Sequence, residues 1–488
     1  MNKIYLNITL IFTFLIFFSC EELNEGINDN PNDIVISDIE ATLFLTGGQL
    51  ANTQVQLGRL SNVSSMYSGQ LIGFASIFAN QYGFNISTGD SDGTWRAIYV
   101  GVITNMRHII NSSDNALLVG IAQVVEAHAI STGATIFGDI PYKEIGNLDI
   151  TDPVFDSQID VFNDVLLLLD DAIVTLQSSS SQNIPQDIYF EGDKNKWIEA
   201  AYTLKARIYL QLKDYSSALS AAQNGISSAS GDLEFIPRGA AESTEGDKNL
   251  TWVMLEGSRA GDLGNIGSNG ETSYLMSLLD PSNTSSRNHA KTNETSRHGY
   301  FQILENWSGN NGIVGQFERQ NMISFFENKL IMAECAARNG SVSDGLSHLN
   351  DVRSWMSTGG HLNSNYPTSA LSYISFSESD FNPGGIENPD SVTPKVAFLR
   401  EVIEERYVSG FTSYMPFNDA RRLRKDDQNI SRIGAVKNDK IIDFYSSNLP
   451  NDMINFINLG DEGLKQASKI VDLSKTIYCL LYTSDAAD

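Results

Sequence analysis

The sequence predicts a mostly α-helical protein in which long irregular loops separate the helical segments. Two observations support this fold class. Apolar residues recur every three or four positions through most of the chain, and the periodic stretches come in pairs separated by short breaks. The chain has 488 residues, of which 41% are hydrophobic, so it can bury a large core. We therefore expect an all-α body with embedded helix pairs.

Three such pairs follow one another along the chain. Within a pair, small residues fall where the two helices would touch, and this arrangement resembles a tetratricopeptide repeat. Asp193 stands directly before the clearest helix and predicts its N-cap. The paired segments are 117–136 with 162–176, 193–212 with 218–226, and 325–337 with 346–356. Linkers of irregular length lie between the pairs, which indicates a globular protein with embedded repeats and disfavours a free solenoid.

Segments rich in Gly, Ser and Asn connect the helical stretches. They cover residues 83–93, 178–192, 257–311 and 358–393. Loops of this length are uncommon in compact domains unless they carry function. A ligand site is therefore expected in these loops.

The charge balance excludes one class of partner. The chain has 33 Lys and Arg against 59 Asp and Glu, a net charge of −26, whereas binding DNA or RNA requires clustered cations. Three cysteines, Cys20, Cys335 and Cys479, are too few for a disulfide framework and lack metal-binding spacing. Cys335 lies among small residues of a predicted helix, which predicts a buried side chain.

The N-terminus has the features of a secretory signal. Lys3 precedes an apolar run from Ile4 to Phe18, and Ser19 then stands directly before Cys20. A small residue before cysteine resembles a bacterial lipobox, so residues 1–19 are predicted to be cleaved and Cys20 to be lipidated. The alternative is an ordinary secreted protein with a stray cysteine. Residues 20–40 are acidic and predicted to be a flexible tether, and acids after the lipidated cysteine resemble the surface-export signal of Bacteroidetes lipoproteins.

The C-terminal residues differ from the rest of the chain in their sequence pattern. Residues 479–488 show no hydrophobic period and resemble the translation of a sequencing adapter. We exclude them from fold prediction, expect the native C-terminus to be missing, and assign residues 41–478 to the functional domain.

Several motifs, taken in order, resemble the SusD/RagB family of nutrient-binding outer-membrane lipoproteins. Trp95-Arg-Ala-Ile-Tyr99, followed by Asn105, resembles the family's W-x-x-x-Y…N helix start, and Phe137-Gly-Asp-Ile-Pro-Tyr142 resembles its F-G-D-[VI]-P-Y motif. The run Glu401-Val-Ile-Glu-Glu-Arg-Tyr407 and then Phe417-Asn-Asp-Ala-Arg-Arg-Leu423 resembles its late signature. The resemblance extends from Cys20 to about Asn455.

This resemblance implies binding without catalysis. A family member would be anchored in the outer membrane by its lipid, face the cell exterior, and bind glycans or other nutrients above a TonB-dependent (SusC-like) transporter. The implied fold is helical, with tetratricopeptide-like units facing the transporter and loops presenting ligand contacts. Two alternatives stay open: a tetratricopeptide-like scaffold that binds only protein, and an α-helical glycan-degrading enzyme.

Sugars present apolar C–H faces and a rim of hydroxyls, so a glycan site needs exposed aromatic rings flanked by polar side chains. One loop offers Tyr82, Phe84, Asn85 and Trp95. Trp95 has a structural alternative, because it would also serve as the first core residue of its helix.

A second cluster offers Tyr274, Arg297, Tyr300 and Trp307. It resembles, by its position between helix pairs, the variable loops that carry ligand aromatics in the family. Arg297 would bind an acidic group through a bidentate contact. Trp307 lies among Asn, Ser and Gly residues without an evident core partner, so we expect it to be exposed.

Metal and catalytic motifs are sparse. Asp90 and Asp92 suggest a calcium site, but the spacing does not match an EF-hand loop, so we predict no cofactor and keep calcium as the alternative. The histidines form no zinc motif, and no nucleophile elbow or phosphate-binding loop occurs. Glu401 and Glu405 are four residues apart, so they share a helix face and are expected to pair with Arg406 or Arg421.

Overall fold

The computed structural model describes residues 40–423, apart from residues 84, 148, 240–246, 257–258, 284–285 and 306–310. The signal peptide, Cys20, the tether up to residue 39 and the segment 479–488 lie outside the described residues, and their assignments stay predictions. Helices dominate the described part and its strands are short, which confirms the predicted all-α fold.

The helices and strands are numbered in chain order. The first nine α-helices are α1 (Ala41–Leu57), α2 (Arg59–Tyr67), α3 (Ser76–Tyr82), α4 (Asp92–Arg96), α5 (Thr104–Ser112), α6 (Ala116–Phe137), α7 (Gln158–Ser178), α8 (Lys194–Gln211) and α9 (Tyr215–Ala222). The following ones are α10 (Leu250–Glu256), α11 (Tyr274–Leu279), α12 (Thr295–Phe301), α13 (Phe325–Asn339), α14 (Val342–Ser357), α15 (Pro394–Ser409) and α16 (Met415–Leu423). A π-helical segment, Ala97–Ile103, joins α4 to α5. The strands are β1 (Ile72–Gly73), β2 (Leu233–Phe235), β3 (Leu263–Gly264), β4 (Thr292–Asn293), β5 (Gln320–Ile323) and β6 (Ser372–Tyr373).

The three predicted helix pairs are present as α6 with α7, α8 with α9, and α13 with α14. The pairs also pack side by side, because α7 contacts α8 and α9 contacts α13. The insertion between α9 and α13 therefore leaves the stack continuous in space, although the pairs are separated in sequence.

Side-chain caps fix where these helices begin. The Asp193 side chain accepts hydrogen bonds from the backbone N–H groups of Asn195 and Lys196, which confirms the predicted N-cap of α8. Helices α6, α7, α9 and α13 of the stack start in the same way, as does α15, where a proline also occupies the first turn. Their capping residues are Asn115, Ser157, Asp214 and Ser324, with Thr393 before α15.

Asn328 of α13 joins the second helix pair to the third. Its Nδ2 donates to the backbone oxygens of Ala222 at 2.9 Å and Ile226 at 3.0 Å, at the end of α9. Gly225 allows this close approach, because a Cβ there would lie 2.5 Å from Thr203 Oγ1 and 2.6 Å from Asn328 Oδ1. The turn after α9 is therefore shaped by its contact with α13.

Helix α6 forms the centre of the core. It is the one helix among the described residues that is long and apolar enough to cross a membrane, but 89% of its apolar window is buried inside the protein. It packs against α1, α5, α7 and α8. The apolar composition of α6 is therefore explained by its central position.

A network of charged side chains lies buried around α15. Arg287 bonds to Glu294, Glu401, Glu404 and Glu405, with N–O distances of 3.0, 3.4, 3.0 and 2.5 Å. All five side chains are at most 5% exposed. Glu401 and Glu405 therefore have structural roles, as predicted.

The predicted partners of these two glutamates were wrong. Arg406 instead pairs with Glu334 and Asp419, and Arg421 donates to the backbone oxygen of Thr135. Arg422 joins the same second network through Glu334 at 2.8 Å and Asp419 at 2.8 Å. The short sequence distance had suggested pairing with Arg406 or Arg421. In the structure, Glu401 and Glu405 pair with arginines from a distant segment, Arg287 and Arg297.

The C-terminal helices hold the N-terminal ones in place. Gln70 Nε2 donates to the backbone oxygen of Tyr407 at 2.7 Å, across 337 positions of sequence. Tyr414 Oη donates to the backbone oxygen of Val55 at 2.9 Å, across 359 positions. The region of α1 and α2 is thus hydrogen-bonded to residues near the end of the described chain.

The segment 257–311, predicted to be loop, contains β3, α11, β4 and α12. Each of these elements has two to seven residues, which is too short to leave a readable hydrophobic period. Strand pairing ties the segment to distant parts of the chain: β1 pairs with β3 and β4 with β6, both antiparallel.

Candidate functional site

The chain segments that precede the two predicted ligand clusters meet where β1 pairs with β3. The backbone N–H groups of Phe74 and Ala75 both donate to the oxygen of Asp262, at 2.8 and 3.2 Å. We call the region around this pairing the loop face, and its described residues are 72–83, 85, 259–283 and 286–305. Two segments that are far apart in sequence thus lie side by side.

The loop face contains the first predicted cluster in part. Tyr82 is half-buried at the end of α3, and Asn85 is exposed. Phe84 and Trp307 lie outside the described residues. Ligand contacts by these four residues stay predictions.

Trp95 is half-buried and packs against the core, which supports its structural alternative. Its ring lies 4.4 Å from the Tyr99 ring and 5.5 Å from the Phe137 ring, between centroids. Tyr99 Oη in turn donates to the backbone oxygen of Pro141 at 2.8 Å. The Trp95–Tyr99 motif and the Phe137–Tyr142 motif therefore pack against each other.

The prediction that Arg297 binds ligand is wrong. Its side chain is fully buried, bonds to Glu405 at 2.9 Å, and donates to Ser409 Oγ at 2.6 Å. Glu294 lies 3.6 Å away on the other side. The charge of Arg297 is thus used inside the network around α15.

Tyr274 and Tyr300, from the same predicted cluster, point to different surroundings. Tyr274 is half-buried at the start of α11, and its ring lies 5.7 Å from that of Tyr407. Tyr300 lines a cavity between the helix stack and the C-terminal segment, described below. The cluster predicted from sequence is therefore divided between core and cavity.

The calcium alternative finds little support at Asp90. The Asp90 carboxylate is already occupied, because it accepts hydrogen bonds from Arg59, from Gln81 Nε2 at 2.8 Å, and from the Ser87 backbone N–H at 2.8 Å. Within the part of the chain that the structure describes, no three His, Cys, Asp or Glu side chains are grouped so that they could hold a metal ion. The absence of a cofactor stays a prediction.

A cavity of about 390 Å³, which we call the central pocket, lies between the helix stack and the C-terminal segment. Helices α6, α8, α13 and α14 contribute to it, together with β5 and residues 411–419. One part of its lining is aromatic, and the rings are those of Tyr300, Phe301, Phe326, Trp355, His361, Phe411 and Tyr414. The Phe301 and His361 rings stack, with 5.4 Å between centroids and 6° between planes.

Polar side chains occupy another part of the lining. The Glu318 carboxylate accepts hydrogen bonds from Tyr300 Oη at 3.1 Å and from Asn363 Nδ2 at 2.5 Å. Arg319, whose side chain is 60% exposed, pairs with Glu234 at 3.1 Å. Ring faces beside amide and carboxylate oxygens are the combination that a sugar requires.

Burial controls the protonation of this lining. It raises the pKa of Glu318, although the hydrogen bonds from Asn363 and Tyr300 oppose the shift. It also raises the pKa of Asp232 and of Glu234. Burial lowers the pKa of His361 to about 3, and Arg297 adds to this effect, so the imidazole is neutral at physiological pH.

Some lining residues have unused hydrogen-bonding capacity. Asn418, which is 8% exposed, has an Oδ1 atom without a hydrogen-bond partner among the described residues. The same holds, within the described ranges, for Asn321 Oδ1 and His361 Nε2. Unmet buried polar groups are costly, so these atoms favour a polar occupant of the pocket.

A second cavity, of about 850 Å³, lies beside α1, α2 and α10. Its lining mixes aliphatic and polar side chains and contributes one aromatic ring, that of Phe235. It lacks the combination of several rings and amides found in the central pocket. We therefore take the central pocket as the best-formed candidate site.

Of the pocket residues, Tyr300 was predicted from the sequence, whereas Glu318, Trp355, His361 and Asn363 were not. These residues come from the end of α14 and from connecting segments, and no local pattern marks them as neighbours. A weak signal was available in Gly359-Gly360, whose positive φ angles of 112° and 57° turn the chain directly before His361.

Comparison with known proteins gives consistent results. A family model for SusD-like proteins, described as starch-binding and associating with the outer membrane, matches residues 31–364. No curated protein matches the chain. Among solved structures, a SusD homologue from Bacteroides fragilis is 17% identical, with a TM-score of 0.58, over 88% of this chain and 96% of its own.

Two further structures have the same fold. A SusD/RagB family protein from Bacteroides thetaiotaomicron is 18% identical, with a TM-score of 0.56, over 79% of this chain and 88% of its own. A chitin-binding SusD homologue from Flavobacterium johnsoniae is 16% identical, with a TM-score of 0.55, over 78% of this chain and 87% of its own. At these identities the likeness establishes the fold.

Proposed function

Because this chain belongs to the SusD-like family, we propose that it is a non-catalytic glycan-binding lipoprotein of the outer cell surface. In this proposal it delivers its ligand to a SusC-like, TonB-dependent transporter. The structural observation that carries the proposal is the central pocket, where aromatic rings stand beside amide and carboxylate groups. The chitin-binding relative from Flavobacterium johnsoniae supports a glycan as the ligand class.

The pocket can recognise a sugar ring through two complementary contacts. Half-buried Trp355 offers an aromatic face for C–H groups, and its own ring is held by Phe326 at 5.9 Å between centroids. Asn363 and Glu318 offer oxygens that accept hydrogen bonds from hydroxyls. A rigid ring with pre-positioned acceptors reduces the entropy cost of binding.

The lining carboxylates support binding over hydrolysis. Glu327 pairs with Arg207 at 2.5 Å, Glu234 pairs with Arg319, and Asp232 accepts the backbone N–H of Phe325 at 2.6 Å. Each carboxylate thus already has a structural partner, whereas a glycosidase needs one carboxylic acid and one carboxylate that face the scissile bond.

The helix stack offers a surface for the transporter. On the outer side of α7, Ile159, Leu167 and Val174 are 61, 65 and 65% exposed. Apolar side chains exposed along one helix are typical of protein contacts. This surface supports the predicted orientation, in which the helix pairs face the transporter and the loops face the ligand.

The proposal is tested by affinity electrophoresis in gels that contain neutral, amino or acidic polysaccharides, with release of reducing ends measured in parallel. Trp355→Ala and Asn363→Ala should each weaken retention about tenfold or more if the central pocket holds the sugar. Phe155→Ala, which removes an exposed ring that does not line the pocket, is the control. Thermal unfolding of each variant identifies losses that come from unfolding.

The outcomes discriminate between the alternatives. Retention without new reducing ends supports the proposal, and hydrolysis would instead favour the enzyme. If Tyr82→Ala and Asn85→Ala abolish retention while Trp355→Ala does not, the ligand binds at the loop face. If the wild-type protein retains no polysaccharide of any charge, glycan binding is refuted and the protein scaffold gains support.

A further inference from the structure

The central pocket is closed at its inner end. Ser131, Thr132 and Thr135 of α6 belong to its lining, and these residues are 3, 7 and 8% exposed. Helix α6 packs against α1, α5, α7 and α8, so the core blocks the way beyond these three residues. Phe411 and Tyr414 of the C-terminal segment are also buried and close another side. A ligand chain that enters the pocket therefore ends against α6.

The opening to solvent lies beside Arg319. Among the described lining residues, Arg319 is the one that is exposed, whereas the others are buried or half-buried. Its neighbour Glu318 accepts a hydrogen bond from Asn363 Nδ2 at 2.5 Å. Asn363 Nδ2 also donates to the backbone oxygen of exposed Asn311 at 2.8 Å. These contacts put Glu318, Arg319 and Asn363 at the surface end of the pocket.

The dimensions of the pocket limit what it can hold. Its volume of about 390 Å³ lies near the lower end of the range of about 300–1,000 Å³ for small-molecule sites. Such a volume suits a terminal sugar ring or a short oligosaccharide. The interior of a polymer continues in two directions, so it needs a cleft that is open along its length or an exit beyond α6. The enclosed lining therefore favours a chain end.

The unmet polar atoms of the lining fit a terminal ring. Asn321 Oδ1 and Asn418 Oδ1 are acceptors without a hydrogen-bond partner among the described residues. A terminal ring has a free hydroxyl where an interior ring has a glycosidic bond, and a hydroxyl can donate to such an acceptor. A site that bonds to a hydroxyl discriminates against a ligand that lacks it, because its own polar groups then stay unpaired.

From the closed floor, the opening at Arg319 and the unmet acceptors, we propose that the central pocket binds the terminal ring of a glycan. The protein then recognises chain ends and short oligosaccharides, and the interior of a long polymer does not enter the site. This inference rests on the proposed glycan-binding function. The terminal ring lies among the aromatic side chains inside the pocket, and the rest of the glycan leaves past Asn363 and Arg319.

The test compares long and short chains of the same polymer. Starch, chitosan and polygalacturonate are the probes, and partial hydrolysis provides a short-chain sample of each. The affinity gel contains the full-length polymer, and either sample is added as a soluble competitor. At equal mass, chains that are about tenfold shorter offer about tenfold more ends, so the mass that releases half of the protein should fall about tenfold. A site for polymer interiors would require the same mass of both.

Ser131→Leu tests whether the ligand reaches the floor of the pocket. The larger side chain reduces the depth of the pocket and should weaken retention about tenfold or more. A ligand that only crosses the opening would be retained as by the wild-type protein. Ser220→Leu is the matched control, because Ser220 is exposed on α9 and outside the pocket lining. Thermal unfolding of both variants identifies losses that come from unfolding.

The outcomes separate this inference from the proposed function. If long and short chains compete equally at equal mass, recognition of chain ends is refuted while glycan binding stands. Unchanged retention by a folded Ser131→Leu variant leads to the same conclusion. If the wild-type protein retains none of the three polymers, glycan binding itself is refuted, and the inference is refuted with it. The competition experiment uses the wild-type protein, so it decides the question even if Ser131→Leu does not fold.

Discussion

Removing the Arg287 guanidinium should strongly destabilise the fold. Arg287 is 2% exposed and bonds to four buried glutamates. The four glutamates face three arginines, Arg287, Arg297 and Arg353, so the network carries one excess negative charge. Arg287→Gln raises this excess to two. Removing one partner from a buried ion pair costs about 3–5 kcal/mol, because the remaining charge stays desolvated.

This cost can be converted into a melting temperature. The entropy of unfolding is about 2.1 cal/mol/K per residue, so a folded body of roughly 400 residues has about 0.8 kcal/mol/K. Differential scanning calorimetry at pH 7 should therefore show a midpoint about 4–6 °C below wild type. Lys143→Gln removes the same charge from a half-exposed pair with Asp164 at 3.5 Å, and should change the midpoint by about 1 °C or less.

The pH dependence provides a second check on the same variant. Burial alone would raise the pKa of Glu405, but Arg297 and Arg287 lower it from 4.5 to about 2. A carboxyl whose pKa is lowered by folding stabilises the protein above its unfolded pKa, here by about 3 kcal/mol, and this contribution is lost between about pH 4.5 and pH 2. Arg287→Gln removes one of the two charges that lower the pKa of Glu405. The loss of stability relative to wild type should therefore be largest near pH 7 and become smaller toward pH 3. A variant that melts within about 1 °C of wild type at pH 7, or whose deficit grows in acid, would refute this account.

Three further predictions concern other parts of the chain. Asp187→Ala should lower the free energy of unfolding, measured by chemical denaturation, by about 3 kcal/mol. The reason is that the buried carboxylate accepts hydrogen bonds from Trp197 Nε1 at 2.7 Å and from three backbone N–H groups. An effect under about 1 kcal/mol would contradict this. Cys335 should resist thiol reagents until the protein unfolds, because its side chain is fully buried and burial raises its pKa to about 12. The test uses a protein with Cys20→Ser and Cys479→Ser, and labelling of that protein in its native state would contradict the prediction. Cys20→Ser should abolish incorporation of labelled palmitate in cells, and persistent incorporation would exclude Cys20 as the lipidation site.

Much of the helical architecture could be predicted because its causes are local. The helix pairs follow from the apolar period. The start of α8 follows from Asp193, whose capping role depends only on the N–H groups of Asn195 and Lys196, two and three residues later. The burial of Cys335 could be predicted from its small neighbours. The family resemblance, which the family model confirms, could be read from the sequence because its motifs are short contiguous runs, such as Trp95–Tyr99 and Phe137–Tyr142.

The candidate site could be predicted only in part, because its contacts join residues that are far apart in the sequence. Arg297 stands in a polar stretch, and its carboxylate partner Glu405 comes 108 positions later, so its sequence context gave no sign of burial. Glu318 and Asn363, 45 positions apart, meet across the pocket without any shared motif. The pairing of β1 with β3 involves two residues from each strand, which is too short for a strand pattern.

The hydrogen bonds from Gln70 and Tyr414 determine when the protein can finish folding. Their partners lie 337 and 359 positions away, so α1 and α2 cannot obtain them until nearly all of the described chain has been synthesised. Contacts of such long range slow folding, because a large loop must close before they form. Helices α1 and α2 therefore lack these two hydrogen bonds during most of synthesis. If residues 1–19 act as the predicted secretory signal, this delay helps to keep the chain unfolded until it is exported.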